Sequence, residues 1–233
     1  NKNLEIDLNG ILKGITNRTK LIFICNPNNP TGNVLSKKRL ISFLDKVPKK
    51  VLILLDEANI EFAGETLVNE VSKRNNLVIL RTFSKGFGLA NLRVGFAVAP
   101  APIINKLEEE INVFPVSGLS ENLAISALSD DLFINKTKEF IKKERLFLES
   151  NLIKIGFNVF PSQANNLFIK LPNSINKGRF LKEITRADIS LVDGINFGKS
   201  TSQFFRVSPR KRIVNKEFLK RVKIIIEKEK ISR

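Results

Sequence analysis

Short apolar runs, each closed by polar residues that a strand does not need, constrain this chain more than any other feature. "LIFIC" (21–25), "VLILLDE" (51–57), "LVILRTF" (77–83) and "RVGFAVA" (93–99) recur through the first half, with a helix-like segment starting near Ser36 between the first two. Strand side chains alternate between faces, so a run apolar at consecutive positions presents hydrophobic groups to both. Separated by helical segments, such runs predict an α/β fold whose mainly parallel sheet is covered on both faces. Ligands of sheets of this kind gather at the carboxyl ends of the strands. The unusual residues of this chain fall at those ends.

A charged, amphipathic stretch from Asp131 to Ile155 reads as a helix able to bridge two domains, placed at 1–130 and 131–233. Beyond it, "FNVF" (157–160), "NLFIK" (166–170), a helix near 178–185, "ISLV" (189–192), "FFRV" (204–207) and a terminal helix predict a smaller α+β domain. Hydrophobic residues make up 42% of the 233, enough for a real core. None of the apolar runs approaches the roughly 20 residues a membrane helix needs. The opening "NKNLEIDLNG" lacks the basic, apolar and small-residue regions of a secretory signal. With Cys25 alone no internal disulfide can form, and a reducing, cytoplasmic setting is expected.

The net charge of +16 raises the question of nucleic acid. Eleven Lys and Arg against three acids lie in 206–233, and that tail reads as an amphipathic helix with Phe218, Leu219, Val222, Ile225 and Ile226 on one side. No zinc-finger spacing or RNA-recognition signature accompanies it, so neither nucleic acid nor membrane is expected as a partner. Histidine is absent, which removes Ser-His hydrolysis and most zinc chemistry from this chain, and no metal is expected. Met, Trp and Tyr are absent too, Met even at position 1, so the chain reads as a fragment or an edited sequence.

Three strand ends carry the chemistry. In "CNPNNPTG" (25–32) two prolines and turn-forming residues make a rigid loop that either turns the chain or holds the Asn29 amide toward a ligand. In "LLDEANIEF" (54–62) Asp56 closes an apolar strand, where a carboxylate is either a helix cap or an acid kept ionised by a facing cation. In "RTFSKGFGLANLR" (81–93) Lys85 stands at a strand-to-turn junction, where burial or nearby cations would free its neutral amine for attack on a carbonyl. Gly86 and Gly88 would let the backbone pass close to a ligand there, and Ser84 with Arg93 could hold an anion.

The runs "NPNNPTG", "LLDEA" and "RTFSKGFGLANLRVGFAVA", followed by "SQANNLFIK" (162–170) and "FFRVSPR" (204–210), resemble the fold-type I pyridoxal-phosphate enzymes. The resembling branch contains histidinol-phosphate aminotransferase and threonine-phosphate decarboxylase. The resemblance implies a partial large, cofactor-binding domain followed by a small domain. Lys85 would form a Schiff base with the cofactor, Asp56 would pair with its ring nitrogen, and Asn29 would bond its ring hydroxyl. Ser84 and Arg93 would bind its phosphate. On the substrate side, Arg206 would clamp a carboxylate, Asn165 falls at a substrate-side asparagine, and Arg210 is a second anion acceptor.

Two departures stand out. Asn59 occupies the position of the family's ring-contacting tyrosine, and the front portion that completes the cofactor site in the family is not in the chain. The activity implied is amino transfer to 2-oxoglutarate by a homodimer acting on a small amino or oxo acid or amino phosphate, in histidine or cobalamin biosynthesis. Decarboxylation of a threonine-phosphate-like substrate, or a truncated chain without catalysis, are the alternatives.

Overall fold

The strand-sized runs do form strands, and they do so in two separate sheets. The computed structural model describes residues 4–111 and 115–231. Its chain divides into two units: one runs to Asn29 and then from Asn33 to Lys138, and the other holds Pro30–Gly32 and continues from Glu139.

In the first unit, helix α1 (Leu8–Lys13) precedes β1 (Leu21–Cys25), α2 (Lys37–Leu44), β2 (Leu52–Asp56), β3 (Leu77–Thr82) and β4 (Gly95–Val98). The sheet order is β1-β2-β3-β4. The first three strands are parallel, with Cys25 opposite Asp56 and Asp56 opposite Leu80, and β4 returns antiparallel to β3. Helix α2 begins where Ser36 Oγ accepts the Arg39 N–H, an N-cap that fixes its start. Its Leu40, Phe43 and Leu44 pack on Ile22, Ile24, Ile53 and Leu55, which share one face of the sheet. The opposite face departs from the expected cover on both sides. Leu21 and Phe23 are 50% and 56% exposed while Leu52 and Leu54 are half-buried, so among the described residues the far face is open on β1 and partly covered on β2.

Beyond β4 come α3 (Ala101–Glu110), α4 (Gly118–Leu128) and the long α5 (Asp131–Ile155). The second unit contains β5 (Asn158–Phe160), β6 (Leu167–Lys170), α6 (Lys177–Arg186), β7 (Val192–Asp193), β8 (Phe204–Val207) and α7 (Arg212–Ile231). Its sheet is antiparallel, in the order β5-β6-β8-β7. Leu167, Ile169, Phe205 and Val207 pack against Leu148 and Leu152 of α5, Phe180 and Ile184 of α6, and the apolar stripe of α7. The Phe180 ring lies 6.1 Å from that of Phe157 and 5.4 Å from that of Phe205. "ISLV" yields only a two-residue strand, because Asp188 takes a left-handed turn (φ 53) and the Ile189 N–H returns to the Ile184 carbonyl. Among the described residues no helix is long and apolar enough to cross a membrane.

Candidate active site

Because β1, β2 and β3 run parallel, their carboxyl ends share one edge of the sheet, and the chain segments leaving them carry Asn29, Asp56 with Asn59, and Ser84 with Lys85. The ladder continues one step past the strands, with the Asn26 N–H donating to Asp56 O (2.9 Å) and the Glu57 N–H to Leu80 O (2.9 Å).

The first loop is fixed from within by Asn26, which its turn-forming neighbours hide in the sequence. Asn26 is 1% exposed, and its side chain imitates a strand partner for Leu35, accepting its N–H at 2.7 Å and donating to its carbonyl at 3.3 Å. The Asn26–Pro27 peptide is cis, and the Asn28 N–H closes the loop on Asn33 O at 2.9 Å. Asn29 stands exposed at its tip.

Asp56 is half-buried, and its Oδ1 accepts the Ala58 N–H at 2.8 Å, which turns the chain away from the sheet. Beside it the Cys25 thiol donates to Pro27 O at 3.2 Å. Burial, followed by the Asp56 charge, pushes this thiol up to about 11. Glu57 faces the other way and is 1% exposed: its carboxylate accepts the Thr66 hydroxyl (2.6 Å) and the Leu67 N–H (2.8 Å), a packing role. Asn59 is 5% exposed, and its Oδ1 is buried without a hydrogen-bond partner among the described residues.

Lys85 is exposed at the start of the turn that leaves β3. The glycines that follow also serve the fold. A Cβ on Gly86 would lie 2.5 Å from Glu61 Cβ, while Gly88 has φ +72 and would press on Phe133 at 3.2 Å. Ser84 and Arg93 are brought together as expected: Arg93 takes a left-handed backbone (φ 55), and its Nη1 donates to Ser84 Oγ at 3.4 Å and to Ala90 O at 3.0 Å.

The other candidates belong to the second unit. Arg206 lies on β8, opposite Phe168 of β6 and Val192 of β7, half-buried with its guanidinium 5.9 Å from the centre of the Phe197 ring. Arg206 and the exposed Arg210 line one cavity of about 640 Å³, together with Ser190, Ser208 and Phe218. Asn165 is half-buried in the loop before β6, where Ser162 Oγ donates to Asn166 O at 2.5 Å and the Asn166 amide donates to Pro30 O. Among the described residues no cluster of His, Cys, Asp or Glu could hold a metal ion.

The family profile of aminotransferase class I and II matches residues 1–222. Histidinol-phosphate aminotransferase 2 of Carboxydothermus hydrogenoformans is 33% identical over 233 residues, covering 97% of this chain and 63% of that protein. An aromatic amino acid aminotransferase of Rhodococcus erythropolis is 43% identical over 195 residues, 81% of this chain and 54% of its own length. The chain thus spans less than two thirds of these relatives. The crystal structure of the histidinol-phosphate aminotransferase from Clostridium acetobutylicum superposes with a TM-score of 0.90 at 29% identity, over 98% of this chain and 70% of that one.

Proposed function

The chain belongs to the class I and II aminotransferase family and has the fold of the pyridoxal-phosphate enzymes of fold type I, and on that premise we propose that it carries the lysine side of a pyridoxal-phosphate site in an aminotransferase most like histidinol-phosphate aminotransferase. The observation that carries this reading is the gathering of an amine, a carboxylate and a serine–arginine anion cradle at the ends of adjacent parallel strands.

That donor set fits the cofactor group by group. An exposed primary amine suits an aldehyde, a carboxylate suits a protonated ring nitrogen, and a hydroxyl beside a guanidinium suits a phosphate. The buried Asn59 Oδ1 marks a polar position on the segment leaving β2 that no described residue satisfies. When bound, the cofactor supplies an electron-withdrawing ring that stabilises charge at the substrate α-carbon.

Around such a ring, Lys85 would hold the aldehyde through Nζ, and its amine would be the base for the proton on the substrate α-carbon. Asp56, its carboxylate held by the Ala58 N–H, would keep a proton on the ring nitrogen. Asn29 and Asn59 would hold the ring oxygen, and Ser84 with Arg93 would hold the phosphate. Arg206 takes the substrate carboxylate and Arg210 a second anionic group, which would suit an amino phosphate donor with 2-oxoglutarate as the acceptor. In this reading residues 1–130 form part of the cofactor-binding domain and 131–233 the small domain of a cytoplasmic homodimer.

The test begins with the purified chain and pyridoxal phosphate. A new visible absorbance band, and a borohydride-stable mass increment on the peptide containing Lys85, are expected, and both should vanish in Lys85→Ala. A missing band, or one that survives the substitution, overturns the assignment. With the band present, histidinol phosphate, an aromatic amino acid and threonine phosphate are compared as substrates. Release of carbon dioxide instead of an oxo product would move the chain to the decarboxylase reading and toward cobalamin biosynthesis.

A further inference from the structure

Two consecutive charged residues of α5, Glu144 and Arg145, are buried at 3% and 8% exposure. The same helix has many solvated positions that would take such charges at no cost. Adjacent helix positions point about 100° apart, so the two side chains reach different neighbours.

Glu144 reaches toward α7. Its Oε1 and Oε2 accept Arg212 Nε at 3.1 and 2.9 Å, Oε1 also accepts Arg212 Nη2 at 2.9 Å, and Oε2 accepts Asn215 Nδ2 at 2.9 Å. Asn215, 2% exposed, closes on the backbone of Arg210, accepting its N–H at 3.0 Å and donating to its carbonyl at 2.7 Å. Arg212 is held from the other side by the Phe147 ring, 3.7 Å from its guanidinium carbon. Arg145 turns the other way, and its Nη1 donates to the carbonyls of Gln163 (2.9 Å) and Ala164 (2.8 Å), the two residues immediately before Asn165. Its Nε is buried without a partner among the described residues.

Anchoring α5 does not require these charges. Leu148 and Leu152, one and two turns on, are fully buried in the core of the unit. Burying ions is a costly way to add stability, since apolar residues of similar volume often do as well or better. What the charges add is direction: one fixes the backbone of Arg210 and the other the backbone leading into Asn165. Substrate groups must be held within fractions of an ångström, and this is achieved by locking the supporting residues.

We propose that Glu144 and Arg145 form a positioning pair that sets the two substrate-side loops of the second unit and thereby the affinity for the anionic groups of the amino substrate. The assignment rests on the substrate-side reading of Asn165 and Arg210 given above. Neither residue touches the reacting atoms, so both act through the loops they hold.

The test combines a readout independent of cofactor with one that uses it. Hydrogen exchange is followed by mass spectrometry in peptides covering 161–168 and 208–216 of the full chain. Arg145→Met should speed exchange in the first peptide and spare the second, Glu144→Gln should do the reverse, and Arg145→Lys should recover part of the protection. Exchange accelerated throughout the second unit, or in neither loop, would mean that the pair only holds the fold together and would overturn the proposal. In parallel, the chain loaded with pyridoxal phosphate is titrated with histidinol phosphate. Each of the two disruptive variants should raise the half-saturating concentration at least tenfold while leaving the cofactor band and its affinity unchanged. If the native chain responds and the variants respond identically, the positioning role is refuted. If the native chain itself does not respond, the aminotransferase reading has failed instead, and the loop claim is decided by the exchange data.

Discussion

The Cys25 thiol and the Asp56 carboxylate occupy matched positions on adjacent parallel strands, each at the last residue of its strand and on the same face of the sheet. Burial is the larger reason the thiol is pushed up to about 11, and the Asp56 charge is the second. A negative charge beside a thiol disfavours the thiolate, so removing it must lower the pH at which the sulfur reacts. Cys25 is the single cysteine of the chain, which makes the assay unambiguous. Asp56→Asn is expected to shift the pH profile of iodoacetamide labelling downward while keeping its midpoint above the ordinary 9.0, because burial persists. An unchanged profile would disconnect the two side chains.

Glu57 leads to a pH prediction of opposite character to most carboxylates. Burial raises its pKa above the ordinary 4.5, despite the bonds from Thr66 and Leu67 and the charge of Arg81. A raised carboxylate binds more protons in the folded state than in the unfolded one. Its stabilising contribution is therefore full below pH 4.5 and is lost as pH rises through the folded value. Thermal midpoints of the native chain should carry this falling component on the acidic side of neutrality, and Glu57→Gln should remove it. A variant whose midpoint tracks the native curve over that range would refute the assignment.

Gly32 tests the loop that the second unit takes from the first half of the sequence. Its φ is +73, and a Cβ there would lie 1.9 Å from Ser162 Oγ and 2.6 Å from Ser162 Cβ. Overpacking and left-handed strain together predict a loss of about 2–5 kcal/mol for Gly32→Ala. Truncating Ser162 to Gly in the same chain should recover the steric part and leave about 1–2 kcal/mol of backbone strain, measured against Ser162→Gly alone by denaturant midpoint. Equal losses in both backgrounds would place the cost in the backbone alone.

What can be read from the sequence here follows from what leaves a periodic trace. "FFRV" and the 131–155 helix coincide with β8 and α5, because consecutive apolar residues and a long amphipathic repeat have few alternative structures. Helix α4 escapes that logic. Its apolar Leu119, Leu123, Ile125 and Leu128 spread around the helix, and all four are exposed, so no period separates an inner from an outer face. Asp56, Ser84, Lys85 and Arg93 are visible because they close or open apolar runs, and Asn29 because a proline-rich turn follows one. Asn26 is masked by its turn-forming neighbours, and Glu144 and Arg145 sit in "KKERLFLES", a string that reads as a solvated face until the fold shows two of its charges buried.

The buried oxygen of Asn59 has no hydrogen-bond partner among the described residues. A buried polar atom that makes no bond contributes little to the fold, and removing it even relieves a desolvation cost. Asn59→Ala should therefore leave the stability of the cofactor-free chain within about 1 kcal/mol of the native value, the small cavity offsetting the relief. In the proposed reading the same amide meets the cofactor ring, so its loss should weaken pyridoxal-phosphate binding about tenfold, the equivalent of one hydrogen bond of about 1.4 kcal/mol. Chemical denaturation without cofactor and a fluorescence titration with it read the two quantities separately. A large stability loss with unchanged cofactor affinity would make Asn59 a packing residue and remove it from the site.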